Sequence, residues 1–181
     1  MMDIAEIDMK EEERLIKQIA LGDETALESM YALYYPRLVR FLFRVTNNHE
    51  HIIEIINDVF FIVWCGAEKF RYQSSISTWI MGIAYKKGLK HMSKFREPIA
   101  YFEEIGQVEG NDEHLIEQRD LRQLLSQLSP QHRAVVELTY FFGYSYREIG
   151  EILECPENTV KTRMFHARQK LREVADKNLS V

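Results

Sequence analysis

The residues of this chain best suited to bind a ligand lie between Asn158 and Arg172. Lys161, Arg163, Arg168, Lys170 and Arg172 fall there with no acid among them. Val160, Met164, Ala167 and Leu171 recur at helical spacing and form a core stripe. The cations therefore flank a buried face, while Asn158, Thr162, Phe165, His166 and Gln169 project away from it. Such a helix suits the phosphate walls and base edges of a DNA major groove. The plainer alternative is a solvated basic face in an ordinary helical bundle. The residues just upstream favour the first reading. Ile149, Ile152 and Leu153 face one way, and Gly150 is small where a second helix could pass closely. Pro156 blocks the first helix and can open the next. Helix, tight turn and cationic helix make a helix-turn-helix over Tyr146 to Leu171.

The rest of the chain must position this motif, and it looks less like a DNA binder. The formal charge over 181 residues is −5. The deficit is concentrated between Glu97 and Asp120, where eight acids face Arg119 alone. This acidic strip separates two less acidic parts. A hydrophobic content of 46% is enough for a core in each. Cys65 and Cys155 sit alone in apolar helical contexts, outside any metal-spaced pair, and read as buried small hydrophobes. The N-terminal residues are acidic and lack an apolar signal-peptide core. The longest apolar run, Val59 to Ala67, is too short to span a bilayer. These features point to a cytoplasmic chain without membrane insertion.

Helical periodicity runs almost throughout, and no strand alternation stands out. Glu11 to Leu21 is amphipathic, with Leu15, Ile16 and Ile19 inward. Gly22 can end it in a left-handed cap, and Asp23 can cap the next helix. Ala26 to Arg44 carries a broad apolar face in which Pro36 should kink or restart the helix. Asn47-Asn48-His49 is a polar break before a third helix, Glu50 to Glu68. Phe70 to Ser77 reads as a polar-aromatic loop and Thr78 to Phe95 as a fourth helix, basic in its second half. Leu121 to Leu128 and Gln131 to Phe142 are two further helices, separated by Ser129-Pro130 and ended by Gly143. The expected fold is all-α, with a four-helix domain over 1–96, an acidic linker over 97–120 and a helix-turn-helix domain over 121–181.

This arrangement resembles the sigma-70 family of RNA polymerase sigma factors, in its small extracytoplasmic-function (ECF) group. The segments ALESMYALYYPRLVRFL and IIEIINDVFFIVW are similar to the family's region 2. The segment FRYQSSISTWIMGIAYKKGLKHM is similar to the part that handles promoter melting. LSPQHRAVVELTYFFGYSYREIGEILECPENTVKTRMFHARQKL is similar to region 4. The resemblance implies a factor that binds core RNA polymerase and directs promoter-specific initiation, reading the −35 element as duplex and melting the −10 element. It places Lys161, Thr162, Phe165 and His166 toward the groove, and Arg163, Arg168 and Lys170 mainly on phosphates. His166 departs from an arginine common there in the family.

For the −10 element the resemblance implies Tyr72, Ser74, Ser75, Trp79, Lys86, Lys87 and Lys90. Unpaired bases need π surfaces and a cationic groove. Phe70, Tyr72, Trp79 and Tyr85 supply the former. Lys86, Lys90 and Lys94, with Lys87 and His91 beside them, supply the latter. Trp79 also reads as a core residue. Met81-Gly82 and Lys86 depart from the family pattern. Docking to the polymerase β′ clamp helices is implied for Glu54, Asn57, Asp58 and Phe61, since carboxylates suit an arginine-rich partner. The β flap, promoter DNA and an anti-sigma factor are the other implied partners. The acidic linker, spanning up to about 75 Å if extended, would let the two domains reach separate promoter elements.

No Gly-rich phosphate loop, nucleophile motif or metal-spaced cluster is present, so an enzyme, a metal site and a cofactor are not expected. His49-Glu50-His51 reads as the loop before a helix. The alternative, a two-domain helix-turn-helix regulator that does not act as a sigma factor, would need an effector or receiver domain upstream. The all-helical N-terminal half does not look like one.

Overall fold

The computed structural model describes residues 9–46, 51–94 and 123–178. The expected polar break at Asn47-Asn48-His49 and the acidic linker over 97–120 lie outside these residues. The chain forms two compact helical units, and no strand occurs among the described residues.

The first unit holds α1 (Met9–Ala20), α2 (Glu24–Thr46), α3 (Ile52–Gly66) and α4 (Ile76–Lys94), with a short 3-10 turn, Ala67–Lys69, after α3. Leu15, Ile16 and Ile19 of α1 are buried, as their spacing requires. Gly22, at φ +85, ends α1. The N–H groups of Gly22 and Asp23 donate back to the carbonyls of Ile19 and Gln18, closing the left-handed helix end. Asp23 then caps α2, its carboxylate accepting from the Ala26 N–H at 3.1 Å. Pro36 does not restart α2, which runs unbroken through it. Tyr34, Leu38, Phe41 and Leu42 are fully buried around that position. Burial of those side chains outweighs the proline's missing hydrogen bond, which costs about 3 kcal/mol in an isolated helix.

Glu12 is buried beside Tyr34, whose hydroxyl donates to it. Burial pushes the Glu12 carboxyl above its ordinary range, against the opposing pull of the Tyr34 bond and the Arg37 charge. Cys65 is exposed, not buried as its apolar surroundings suggested. Among the described residues it is left uncovered on α3 along with Ile53 and Phe61, exposed at 58% and 68%.

The described residues of the second unit open with a helical turn at 123–126 and continue with α5 (Pro130–Tyr140), α6 (Tyr146–Ile152) and α7 (Glu157–Asn178). Ser129 caps α5 and Pro130 occupies its first turn. The buried Arg133 guanidinium donates to the carbonyls of Leu125, Ser126 and Leu128 at 3.0–3.2 Å, tying the preceding turn to α5. Gly143, at φ +71, lets the Tyr144 N–H reach the Leu138 carbonyl. Ser145 and Glu148 form a reciprocal capping box at the start of α6.

Candidate polymerase and nucleic-acid interfaces

The turn of the helix-turn-helix is built by Gly150, Glu154 and Cys155. Glu154 adopts φ +50, and the Cys155 N–H donates to the Gly150 carbonyl at 2.9 Å. A Cβ at Gly150 would stand 2.8 Å from the Cys155 carbonyl oxygen. The close approach at this glycine is therefore by the turn itself, with the first residue of α7, Glu157, just behind at 3.6 Å. Pro156 does open α7, its carbonyl accepting from Thr159.

On α7 the expected core stripe holds for Val160, Met164 and Ala167, which are buried, while Leu171 is half-buried. α5 packs across this helix. Phe165 is 65% exposed, and Lys161, Thr162, His166, Arg168 and Lys170 are exposed with it. The Phe165 ring stands edge-on to His166 at 5.5 Å and leaves most of its apolar surface to solvent. The cations are not equivalent. Lys161 pairs with Glu157 at 2.7 Å, an exposed i,i+4 pair worth about 0.3–0.5 kcal/mol and easily exchanged for a phosphate. Arg163 is half-buried and leans on the Cys155 sulfur at 3.5 Å. Arg168 donates to the Tyr140 hydroxyl at 2.6 Å, with its guanidinium 5.8 Å from the centre of that ring. Thr162 donates to the Asn158 carbonyl. Tyr140, itself 59% exposed, was not anticipated, because its partner is on another helix.

In the first unit, the loop 70–75 gathers its aromatic rings. Phe70 stands edge-on to Tyr72 at 4.9 Å and tilted against Trp79 at 4.8 Å. Tyr72 adopts φ +54, a left-handed conformation costly for a bulky residue, and remains 48% exposed. Trp79 is half-buried, with its indole against Gly66, where a Cβ would approach to 3.2 Å. Ser75 has a structural task that the sequence reading did not give it. Its hydroxyl accepts from the Thr78 N–H at 3.0 Å and caps α4. Ser74 donates to the Ser75 carbonyl. Lys86 and Lys90 are exposed.

Lys87, expected at DNA, pairs at 2.7 Å with Asp58, expected at the polymerase. The structure thus joins two residues that had been assigned to different partners. Asn57 accepts from the Tyr31 hydroxyl at 3.3 Å. Glu54 is exposed, with His51 3.3 Å and His91 3.9 Å from one of its oxygens. No group of three such side chains among the described residues is arranged to hold a metal ion. Ile53 extends the exposed line Asn57–Phe61 by one turn and was missed. Of the described helices, none is long and apolar enough to cross a membrane.

Two family models match this chain: "Sigma-70 region 2" over residues 30–96 and "Sigma-70, region 4" over residues 118–171. The RNA polymerase sigma factor YlaC of Bacillus subtilis is 32% identical over 160 residues, covering 82% of this chain and 91% of that protein. The chain belongs to the sigma-70 family. Within it, the ECF RNA polymerase sigma factor SigW of Bacillus subtilis is 27% identical over 175 residues, covering 87% of this sigma factor and 93% of its relative. The fold matches that of the sigma factor RpoE in complex with the anti-sigma factor NepR from Bartonella quintana. The TM-score is 0.66 at 22% identity, over 82% of this chain and 96% of that one. The protein is an ECF sigma factor with two helical domains, and the helix-turn-helix falls inside the region 4 match.

Proposed function

We propose a division of labour between the two units of this sigma factor. α7 enters the −35 major groove, with Lys161, Thr162, Phe165 and His166 toward the groove and Arg163, Arg168 and Lys170 mainly toward phosphates. The carrying observation is the 65% exposure of Phe165 on a helix whose opposite face is buried. An apolar group so placed suits a thymine methyl. The loop 70–75, with Tyr72, Ser74 and Ser75, takes unpaired bases of the −10 element. Trp79 backs it, and Lys86, Lys87 and Lys90 run along the strand's phosphates. Tyr72 is held exposed by a strained backbone, as befits a residue kept for a ligand.

The exposed line Ile53, Asn57, Phe61, with Glu54 and Asp58 beside it, docks on the β′ clamp helices of core polymerase. The region 4 unit meets the β flap. An anti-sigma factor would compete for these faces, and the relative solved with NepR supports a partner of that class. The factor works in the cytoplasm, where its polymerase is, and the polymerase performs the chemistry. The domain limits are 1–96 and 121–181, with 97–120 as the linker. Run-off transcription with core polymerase on a promoter library tests this. Initiation at a shared −35/−10 pair is the expected result. Core binding without any initiation would mark the chain as a decoy instead.

A further inference from the structure

α5 crosses the buried stripe of α7, so its two ends emerge at opposite edges of that helix. At one edge Tyr140 meets Arg168. At the other, His132 meets His166, with ring centres 6.3 Å apart and planes inclined by 35°. Arg163 lies on this same flank of α7 and acts electrostatically on His132. Three groups able to carry positive charge thus converge at the edge of a helix that enters a groove walled by phosphates. Clustered cations repel in the free protein and are stabilised when an anion sits between them.

We infer that His132, outside the recognition helix, is a further DNA-binding residue of this sigma factor. Together with Arg163 it holds one backbone phosphate of the −35 duplex, beside the base edge that the neighbouring His166 reads. The inference rests on the reading of α7 as the recognition helix.

His132 is half-buried. Burial first, then the His166 and Arg163 charges, hold its imidazole below the ordinary histidine range in the free protein. On its own helix the nearest charged groups are Arg133, committed to the carbonyls of Leu125, Ser126 and Leu128, and the fully buried Glu137. A phosphate reverses the balance and raises the imidazole's proton affinity. DNA binding then takes up a proton. The gain in affinity is complete below the free-state pKa of His132 and vanishes above its bound-state value.

The test uses holoenzyme assembled from the full chain and core polymerase, on a promoter duplex taken from the library, between pH 5.5 and 8.5. Wild type, His132→Gln, His132→Lys, His166→Gln, Thr162→Ala and Phe165→Ala are compared with the same core, so its own titration cancels. His132→Gln should weaken binding about tenfold at pH 6 and leave it unchanged at pH 8.5. It should also flatten the salt dependence at pH 6 by about 0.9 in the logarithmic slope. His132→Lys should restore tight binding and hold it at high pH. Thermal melts verify that each variant is folded. Identical pH profiles for wild type and His132→Gln would overturn the inference. So would an equal loss at both pH values, the mark of a packing role. If Thr162→Ala and Phe165→Ala also bind normally, the recognition-helix reading falls and this inference with it. If those two bind weakly while His132→Gln is silent, only the role of His132 is lost.

Discussion

Substituting Gly150 by valine should damage the turn that aims α7. The added Cβ would stand 2.8 Å from the Cys155 carbonyl oxygen, well inside contact distance. The obstacle is backbone, already fixed by the Cys155 N–H bond to Gly150 and by the left-handed Glu154. The turn must therefore give way, and no side chain can swing aside. Overpacking of this kind costs about 1–3 kcal/mol. Valine recovers only about 0.3 kcal/mol of helix propensity over glycine. The net loss should be about 2 kcal/mol. In a unit of this size that lowers the melting temperature by about 10 °C.

Calorimetry of the full chain reads this directly. The transition of the C-terminal unit should fall while that of the N-terminal unit holds. Two further variants separate clash from backbone strain. Gly150→Ala meets the same oxygen but gains about 1 kcal/mol of propensity, so it should stay within about 1 kcal/mol of wild type. Gly143→Ala has nothing within 4 Å but must hold φ +71. It should cost about 1 kcal/mol and leave −35 affinity unchanged, whereas Gly150→Val should weaken it even well below the melting range. A wild-type melt for Gly150→Val would refute the reasoning.

Three other substitutions probe the rest of the molecule. Arg163→Ala should weaken binding to all −35 sequences alike, with a salt slope reduced by about 0.9, whereas His166→Ala should change preference at one base pair by about 1–3 kcal/mol. Binding across single-base variants at several salt concentrations would expose any exchange of their roles. Phe61→Ala should leave the melt within about 0.5 kcal/mol, because the ring is exposed, yet reduce affinity for core polymerase at least tenfold in a titration. Glu12→Gln should remove a pH dependence of stability. The buried carboxyl has a raised folded-state pKa, so its contribution is fully present at low pH and lost as pH rises through that pKa. Urea melts between pH 4 and 7 should therefore show the variant gaining on wild type as pH rises, and a constant difference would count against the argument.

The sequence was most legible where structure is set by neighbours in the chain. Gly22, Asp23, Ser129-Pro130 and Pro156 mark helix ends through their own backbone limits, and the period of Val160, Met164 and Ala167 shows the inner face of α7 directly. Pairs between helices were not legible. Tyr140 with Arg168, His132 with His166 and Asp58 with Lys87 are each separated by more than twenty residues and follow only from how the helices cross. One missed pair, Lys161 with Glu157, is an i,i+4 neighbour that the sequence does display.

The misreading of Cys65 has a different cause. α3 is apolar nearly all round, and a helix of that kind reads as buried on every side. The structure buries Ile52, Ile55, Ile56, Val59, Phe60 and Val63 within the unit but leaves Ile53, Phe61 and Cys65 exposed. Composition records that a face is apolar, not whether its cover comes from the same chain or from another. Where an apolar helix has more apolar face than its own domain can cover, the surplus marks a docking surface. On α3 that surplus includes Phe61 and lies beside Glu54, Asn57 and Asp58, the four residues that resemblance to the family assigns to the polymerase. Packing and motif reach the same face of the helix by separate arguments.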